Sequence, residues 1–357
     1  MICEHMANAN LIGSKEKHKK NVEDVSLLMS SLRGCAKRKD LYNGEKLHEE
    51  IVKKGLLENE ACIGSTLMHM YAKCGELTKA QEVFDILRVR DVICWTTLIS
   101  GYAQYGYNKE ALKLYEKMCC HGPPPDGYTF VCILKVCGES GSLEIGENIH
   151  AEVSEKELFQ KETSLGNALV DMYVKCGVLP KAQEVFNELR VRDIVSWNVL
   201  LTAYAHLGHA KSVFLLFNKM LEEEDITPDH LSFLVLLSAC SHAGLIEEGQ
   251  ILFSGMHTFY CLSPTLEHYT CMVDICSRAG CFDKAVIVVE GVVASNRLPL
   301  LLSLLSSCRK WGNVELGRWA FEQALMVDGN SAAAYVGMRN IYSAADILAE
   351  AENIWSF

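Results

Sequence analysis

Between Val92 and Asp126 the apolar residues recur at helical spacing. Trp95, Leu98, Ile99, Tyr102 and Ala103 share one helix face. Gly106-Tyr107-Asn108 interrupts that face, and Ala111, Leu112, Leu114, Tyr115 and Met118 mark a second one. It ends at His121-Gly122-Pro123-Pro124-Pro125, where glycine and three prolines cannot continue a helix. The unit is therefore helix, short turn, helix, stop. Neither helix can bury its apolar stripe alone, so neighbouring units must stack. The same unit fits Ile194 to Asp229, with Trp197, Leu200, Leu201, Tyr204 and Ala205, then Val213, Leu216, Phe217 and Met220. A shorter version runs from Ala61 to Asp91 and from Thr163 to Asp193. A third begins near Val25, Gly127 and His230, each with a Leu-x-x-Cys or Leu-x-x-x-Cys step followed by a Gly-x-Leu or Gly-Leu-Ile turn.

The pattern is also literal. Lys79-Ala80-Gln81-Glu82-Val83-Phe84 returns unchanged as Lys181 to Phe186, and Leu87-Arg88-Val89-Arg90-Asp91 as Leu189 to Asp193, both at an offset of 102 residues. Units of 31, 35 and 36 residues in the order short, long, third type account for that offset. A period of this kind predicts an all-α stacked array rather than one globular core. Helix starts carry ordinary signals: Pro180 fits a first helical turn, and Thr78 stands where it could cap the matching helix.

Composition changes this picture little. Apolar residues make up 49% of 357, ample for a continuous core. The net charge of −11 argues against non-specific nucleic-acid binding through an overall field, but leaves room for a locally basic groove. Most of the sixteen cysteines fall at repeated helical positions, Cys35, Cys137 and Cys240 in one slot and Cys74 and Cys176 in another, and read as small buried apolar residues in a reducing compartment. No apolar run approaches the ~20 residues of a membrane span. The first 24 residues hold Glu4, Glu16, Glu23 and Asp24 and no arginine, a poor transit peptide; either the true start lies upstream or the protein is not imported.

Several strings resemble the pentatricopeptide repeat family, in its plant PLS subclass: Asp91-Val92-Ile93-Cys94-Trp95-Thr96-Thr97-Leu98-Ile99-Ser100-Gly101-Tyr102, Gly166-Asn167-Ala168-Leu169-Val170-Asp171-Met172-Tyr173, and Leu237-Ser238-Ala239-Cys240-Ser241-His242-Ala243-Gly244-Leu245. Glu267 to Asp274 looks like the last short repeat of that subclass. Ser307-Cys308-Arg309 with Gly312 to Gly317 looks like its E1 motif, and Tyr335, Asn340-Ile341-Tyr342 and Ala345 look like the start of E2. The resemblance implies a right-handed α-solenoid. Its repeats would be 25–60 (L), 61–91 (S), 92–126 (P), 127–162 (L), 163–193 (S), 194–229 (P), 230–265 (L) and 266–297 (S). An E1-like repeat at 298–331 and a truncated E2-like repeat at 332–357 would follow, with 1–24 a poorly defined N-terminal segment.

The family binds single-stranded RNA, one base per repeat, and the fifth and last residues of a repeat choose the base. Carried over, the pairs are Ser65 with Asp91, Thr96 with Asp126, Asn167 with Asp193, and Asn198 with Asp229. By the family's code the first two favour guanine and the last two uracil. Met29, Val131 and Leu234 at the fifth position of the L repeats cannot hydrogen-bond a base edge. Thr270 would pair with Arg297, where the family usually has an acid or amide. Ile93 and Val195 fill the apolar second position that wedges between neighbouring bases. The implied footprint is N-G-G-N-U-U-N-N, 5′ to 3′. Each of these polar residues has a plainer reading as a helix cap.

Family members with an E region commonly act in C-to-U RNA editing in mitochondria or chloroplasts, some with a deaminase domain and some recruiting one. A zinc deaminase needs His-x-Glu and Pro-Cys-x-x-Cys. His48-Glu49-Glu50 and His150-Ala151-Glu152 supply the first at equivalent repeat positions, but the second occurs nowhere. Cys271, Cys276 and Cys281, five apart on a helix, point in different directions and do not converge on a metal. The chain therefore reads as a non-enzymatic adaptor without a cofactor, partnered by RNA and by a deaminase-bearing relative or editing accessory protein. The alternatives are a helical scaffold for protein partners, which the acidic charge would suit, or a decayed family member without an RNA target.

Overall fold

The computed structural model describes residues 25–57, 61–159, 161–223 and 226–347. The N-terminal segment 1–24 and the last residues of the E2-like block, 348–357, lie outside the described residues. The described residues are helical, without strands, and the chain divides into two compact units, with the boundary in sequence between Arg190 and Val191.

The first unit runs through α1 (residues 25–38), α2 (Leu41–Lys53), α3 (Ala61–Cys74), α4 (Leu77–Ile86), α5 (Val92–Gln104), α6 (Asn108–His121), α7 (Gly127–Ser140), α8 (Leu143–Glu155), α9 (Thr163–Lys175) and α10 (Leu179–Glu188). The odd helices α3, α5, α7 and α9 pack side by side in succession. The helices α4, α6, α8 and α10 each pack on their hairpin partner, and α2, α4, α6 and α8 also lean on the next odd helix. The second unit repeats the scheme with α11 (Ile194–His206), α12 (Ala210–Glu222), α13 (His230–Ala243), α14 (Ile246–Tyr260), α15 (Leu266–Arg278), α16 (Phe282–Glu290), α17 (Leu298–Trp311), α18 (Val314–Val327) and α19 (Ala332–Ala344). Each unit is thus two-layered, with the odd helices forming one continuous row.

The apolar stripes close these layers. Trp95, Leu98 and Ile99 on α5 are buried, as are Trp197, Leu200 and Leu201 on α11. Phe84 meets the Trp95 ring edge-on at 4.8 Å, joining α4 to α5. Glycine matters at two kinds of place. Gly44 and Gly146 let α2 and α8 approach the Met70 and Met172 side chains, where a Cβ would stand 2.4 and 2.6 Å from sulfur. The turns inside eight successive hairpins, from Gly75 (φ 88°) to Gly312 (φ 65°), each pass through a glycine in the left-handed region.

That turn displaces Thr78 from its expected role. Gly75 ends α3, the Glu76 amide donates back to the Tyr71 carbonyl, and α4 already starts at Leu77. The cap position falls on Glu76, whose side chain makes no capping bond, and Thr78 lies within the first turn. Pro180 does occupy the first turn of α10. Cys35, Cys137, Cys240 and Cys308 are buried, and burial pushes the last three thiols up to about 12. Cys74 and Cys176 are half-exposed. Among the described residues no group of three or more His, Cys, Asp and Glu is placed to hold a metal ion.

The two His-x-Glu motifs form matching structural clusters. His48 and His150 each place Nδ1 2.8 Å from a tyrosine hydroxyl, Tyr71 and Tyr173 respectively. Lys79 pairs with Glu45, and Lys181 with Glu147, above the same tyrosine rings. Burial holds both imidazoles below the ordinary value of 6.5. Glu82, Glu45 and Glu49 around His48, and Glu188 and Glu147 around His150, oppose that shift, while Lys79 and Lys181 add to it. The unfolded chain therefore takes up protons that the folded chain refuses as pH falls below about 6.5. Stability is fully present above that value and declines beneath it, until the depressed folded pKa is passed. Thermal melts at pH 7.5 and 5.0 should show a lower Tm at pH 5.0, with a smaller difference for a His48→Gln, His150→Gln variant. An equal pH dependence in the two chains would contradict this.

Candidate functional site

The four aspartates of the expected pairs all cap odd helices. Asp91 accepts from the Cys94 amide at 2.9 Å, Asp126 from Thr129 at 2.8 Å, Asp193 from Ser196 at 2.8 Å and Asp229 from Ser232 at 2.9 Å. A carboxylate suits this place because it satisfies an orphan amide and faces the positive end of the helix dipole. Capping uses only part of it, since a carboxylate has about four acceptor positions. The capping reading of the aspartates therefore holds, and a cap bond alone does not exclude a second role for the same carboxylate. Asn167 and Asn198 are different: each is the fifth residue of its helix, almost fully buried, and neither is a cap.

Asn198 Nδ2 donates to Asp229 Oδ1 at 3.0 Å, so this pair, 31 residues apart, is joined in space. The Ser232 hydroxyl lies 2.8 Å from Asn198 Oδ1 and 3.0 Å from Asp229 Oδ1. The amide orientation follows: Nδ2 faces the carboxylate and Oδ1 faces the hydroxyl. One N–H and one lone pair of Asn198 remain unspent. Burial works to raise the Asp229 pKa, but hydrogen bonds from Ser232, Asn198 and the Leu231 amide outweigh it and hold the carboxyl below its ordinary 3.8.

Thr96 and Asp126 meet through an intermediary. Thr96 Oγ1 is 2.7 Å from Thr129 Oγ1, and Thr129 Oγ1 donates to Asp126 Oδ1 at 2.7 Å. A carboxylate only accepts, so the Thr129 proton goes to Asp126 and Thr96 must donate to Thr129. What Thr96 has left is acceptor capacity alone. Ser65 arrives at the same state by another route, donating to the Cys62 carbonyl at 3.1 Å. The residue capped by Asp91 is Cys94, whose thiol is held up to about 12 by burial first and by the hydrogen bond to Asp91 second. Thr270 and Arg297 are not brought together: Thr270 bonds back to the Leu266 carbonyl, and Arg297 donates to the Val292 and Glu290 carbonyls.

Ile93 and Val195, second in their helices, are 62% and 50% exposed, too much for residues whose neighbours form the core. Tyr128 at 64% and Leu231 at 49% hold the same position in α7 and α13. Their repeats have no polar fifth residue to mark them in the sequence, and only their place in the repeat signals the same role. In the first unit a groove of about 700 Å³ lies over α5, lined by Lys73, Gln104, Tyr128, Val131, Lys135 and Glu139 among others. Lys73 Nζ donates to Gln104 Oε1 at 3.0 Å across it. The negative net charge thus coexists with lysines beside an exposed aromatic ring.

Profiles described as the PPR repeat family match residues 90–139 and 192–242, and the PPR repeat profile matches 65–92, 167–194, 231–261 and 267–294, together more than half of the chain. A pentatricopeptide repeat-containing protein of Arabidopsis thaliana is 37% identical over 92% of this chain and 45% of its own length. Another from Arabidopsis thaliana, named chloroplastic, is 35% identical over 93% of this chain and 45% of its length. The chain spans less than half of these curated relatives. Among solved structures, the pentatricopeptide repeat protein PPR10 in complex with an 18-nt psaJ RNA element gives a TM-score of 0.70 at 18% identity, covering 87% of this chain and 46% of that one. PPR10 from maize gives 0.54 at 15% identity, over 92% and 52%. At such identities the likeness establishes the α-solenoid fold alone.

Proposed function

Because the chain belongs to the pentatricopeptide repeat family, we propose that it binds single-stranded RNA on the odd helices of each unit and reads bases through Ser65–Asp91, Thr96–Asp126, Asn167–Asp193 and Asn198–Asp229. The observation that carries this reading is the Asn198–Asp229 bond, with its unspent donor and acceptor on an oriented amide. Uracil offers N3–H and O4, one donor and one acceptor, on its pairing edge. Cytosine offers the same groups in the opposite order. To meet cytosine the amide would have to flip, turning Oδ1 towards the Asp229 carboxylate and Nδ2 towards the Ser232 proton.

The Thr96–Asp126 pair presents acceptors side by side. Guanine carries adjacent donors at N1 and N2, whereas adenine has an acceptor at N1. The footprint is N-G-G-N-U-U-N-N, with Ile93, Val195, Tyr128 and Leu231 seating apolar or aromatic surface between bases and Lys73 and Lys135 facing phosphates. Each two-point contact would contribute ~1–3 kcal/mol of discrimination by analogy with duplex DNA readout.

The chain acts by binding alone. In the PLS subclass, its E-like helices from α17 onward would serve as the recruiting end for a deaminase supplied in trans at a C-to-U editing site in a mitochondrion or chloroplast. The complex of PPR10 with an 18-nt RNA and the chloroplastic names of some relatives support the RNA and organelle parts of this reading. The test is titration of the purified chain with N-G-G-N-U-U-N-N RNA, single-stranded and as a duplex, between about 50 and 200 mM salt. Tight, salt-dependent binding to the single strand alone is expected. Equal binding to the duplex, or none to either, would contradict the reading.

A further inference from the structure

The hydroxyls of Thr129 and Ser232 occupy a place that the base-reading pairs themselves do not explain. Each is the third residue of its odd helix, each is 0% exposed, and each bridges a capping aspartate to the fifth-position residue of the preceding repeat. The backbone amides of residues 129 and 232 already cap onto Asp126 and Asp229. The Ser232 hydroxyl also accepts from the Asp229 amide at 3.2 Å, closing a capping box, but that bond uses its lone pair and leaves its proton for another partner. A buried hydroxyl in an otherwise closed cap is costly unless its hydrogen bonds are made. Here they are made to two partners from two repeats.

We propose that Thr129 and Ser232 are positioning residues for base selection, fixing which hydrogen-bonding groups Thr96 and Asn198 show to RNA. This rests on the base-reading function proposed above. Thr129 gives its only proton to Asp126 and so compels Thr96 to donate inward. The Thr96 hydroxyl is thereby locked as an acceptor, which suits guanine and leaves the adenine N1 acceptor unmatched. Ser232 holds Asn198 Oδ1 from one side while Asp229 holds Nδ2 from the other, so the amide cannot present the reversed order that cytosine requires. Neither hydroxyl touches RNA; each acts through its neighbour.

The equivalent position after the Ser65–Asp91 pair is Cys94, a much weaker donor. Ser65 correspondingly turns to the Cys62 carbonyl of its own helix. The first guanine-reading pair therefore lacks the bridge of the second, and selects less sharply.

The test uses the whole chain and RNAs that differ at one nucleotide. Thr129→Val keeps the branched shape and removes the proton. It should cut the preference for guanine over adenine at the third nucleotide by roughly fivefold or more, while the uracil preference at the sixth stays as it was. Ser232→Ala should do the converse, lowering uracil over cytosine at the sixth nucleotide alone. Thr129→Ser and Ser232→Thr retain the proton and should retain both preferences. A general structural loss would lower affinity for all the RNAs together, which overturns the assignment. So would a valine variant with its guanine preference intact, in which case base reading itself stands. A wild-type chain with no preference at the third and sixth nucleotides overturns the base-reading function and this inference with it. Should the valine variant not fold, the Ser232→Ala comparison decides alone.

Discussion

Asp229→Asn is expected to move the preference at the sixth nucleotide of the footprint from uracil to cytosine. In the folded chain the Asp229 carboxylate accepts from Asn198 Nδ2 at 3.0 Å and from the Ser232 amide at 2.9 Å. A carboxylate tolerates only donors, so it pins one orientation of the Asn198 amide. An asparagine at 229 can keep its carbonyl on the Ser232 amide and turn its NH2 towards Asn198, which then exposes the opposite order of donor and acceptor. The discrimination at stake is ~1–3 kcal/mol, about thirtyfold in relative Kd at the middle of that range. Asparagine is as good a helix cap as aspartate, so the fold should tolerate the change. Competition binding between RNAs carrying U or C at the sixth nucleotide measures it, with a thermal melt as control. A variant of unchanged Tm that still prefers uracil would show that Asp229 is only a cap.

Phe130→Ala should be the costliest of the single substitutions discussed for stability. Phe130 is 0% exposed on α7, and α7 packs against α5, α6, α8 and α9. Truncating a buried phenylalanine loses transfer free energy and leaves a cavity that rigid helices close only in part, together ~3–5 kcal/mol. In a stacked array this loss is not shared evenly, because each hairpin holds only its neighbours. Hydrogen exchange should show lost protection in α5 to α9, while α17 and α18 keep theirs. The chain should also lose affinity for RNA bearing the second guanine, since Thr129 and Thr96 sit on the loosened helices. Uniform loss of protection from α3 to α19 would mean that the array unfolds as one body and that the local picture is wrong.

The helical hairpins were legible because their signals are local. The spacing of Trp95, Leu98, Ile99 and Tyr102 already specifies the buried face of α5, and the triple proline after Gly122 marks its partner's end. The start of α4 was less so. Thr78 carries a cap signal, but the left-handed turn at Gly75 places the first helical residue two positions earlier than such a cap requires. At the candidate site, residue types could be named from the repeat register, yet capping and base reading made rival claims on the same aspartates. The geometry gives the cap to the aspartate and, at Asp229, adds a bond from Asn198 to the same carboxylate, so one side chain can serve both roles. What the spacing does not reveal is the orientation of Asn198, because it is set by Asp229 and Ser232 together, 31 and 34 residues away. Tyr128 escaped for a related reason. Its repeat lacks a polar fifth residue, and only its exposure beside Lys135 and the groove over α5 draws attention to it.

The most direct test of the central claim is a paired binding measurement on the purified chain at about 0.15 M salt. One single-stranded RNA carries G-G-N-U-U, the other U-U-N-G-G, with flanks and composition identical. Both have the same charge and length, so the electrostatic part of binding cancels. Base reading in register requires clear preference for the first, partly reversed by Asn167→Thr with Asn198→Thr. Equal affinity for the two, or preference for the second, would contradict it.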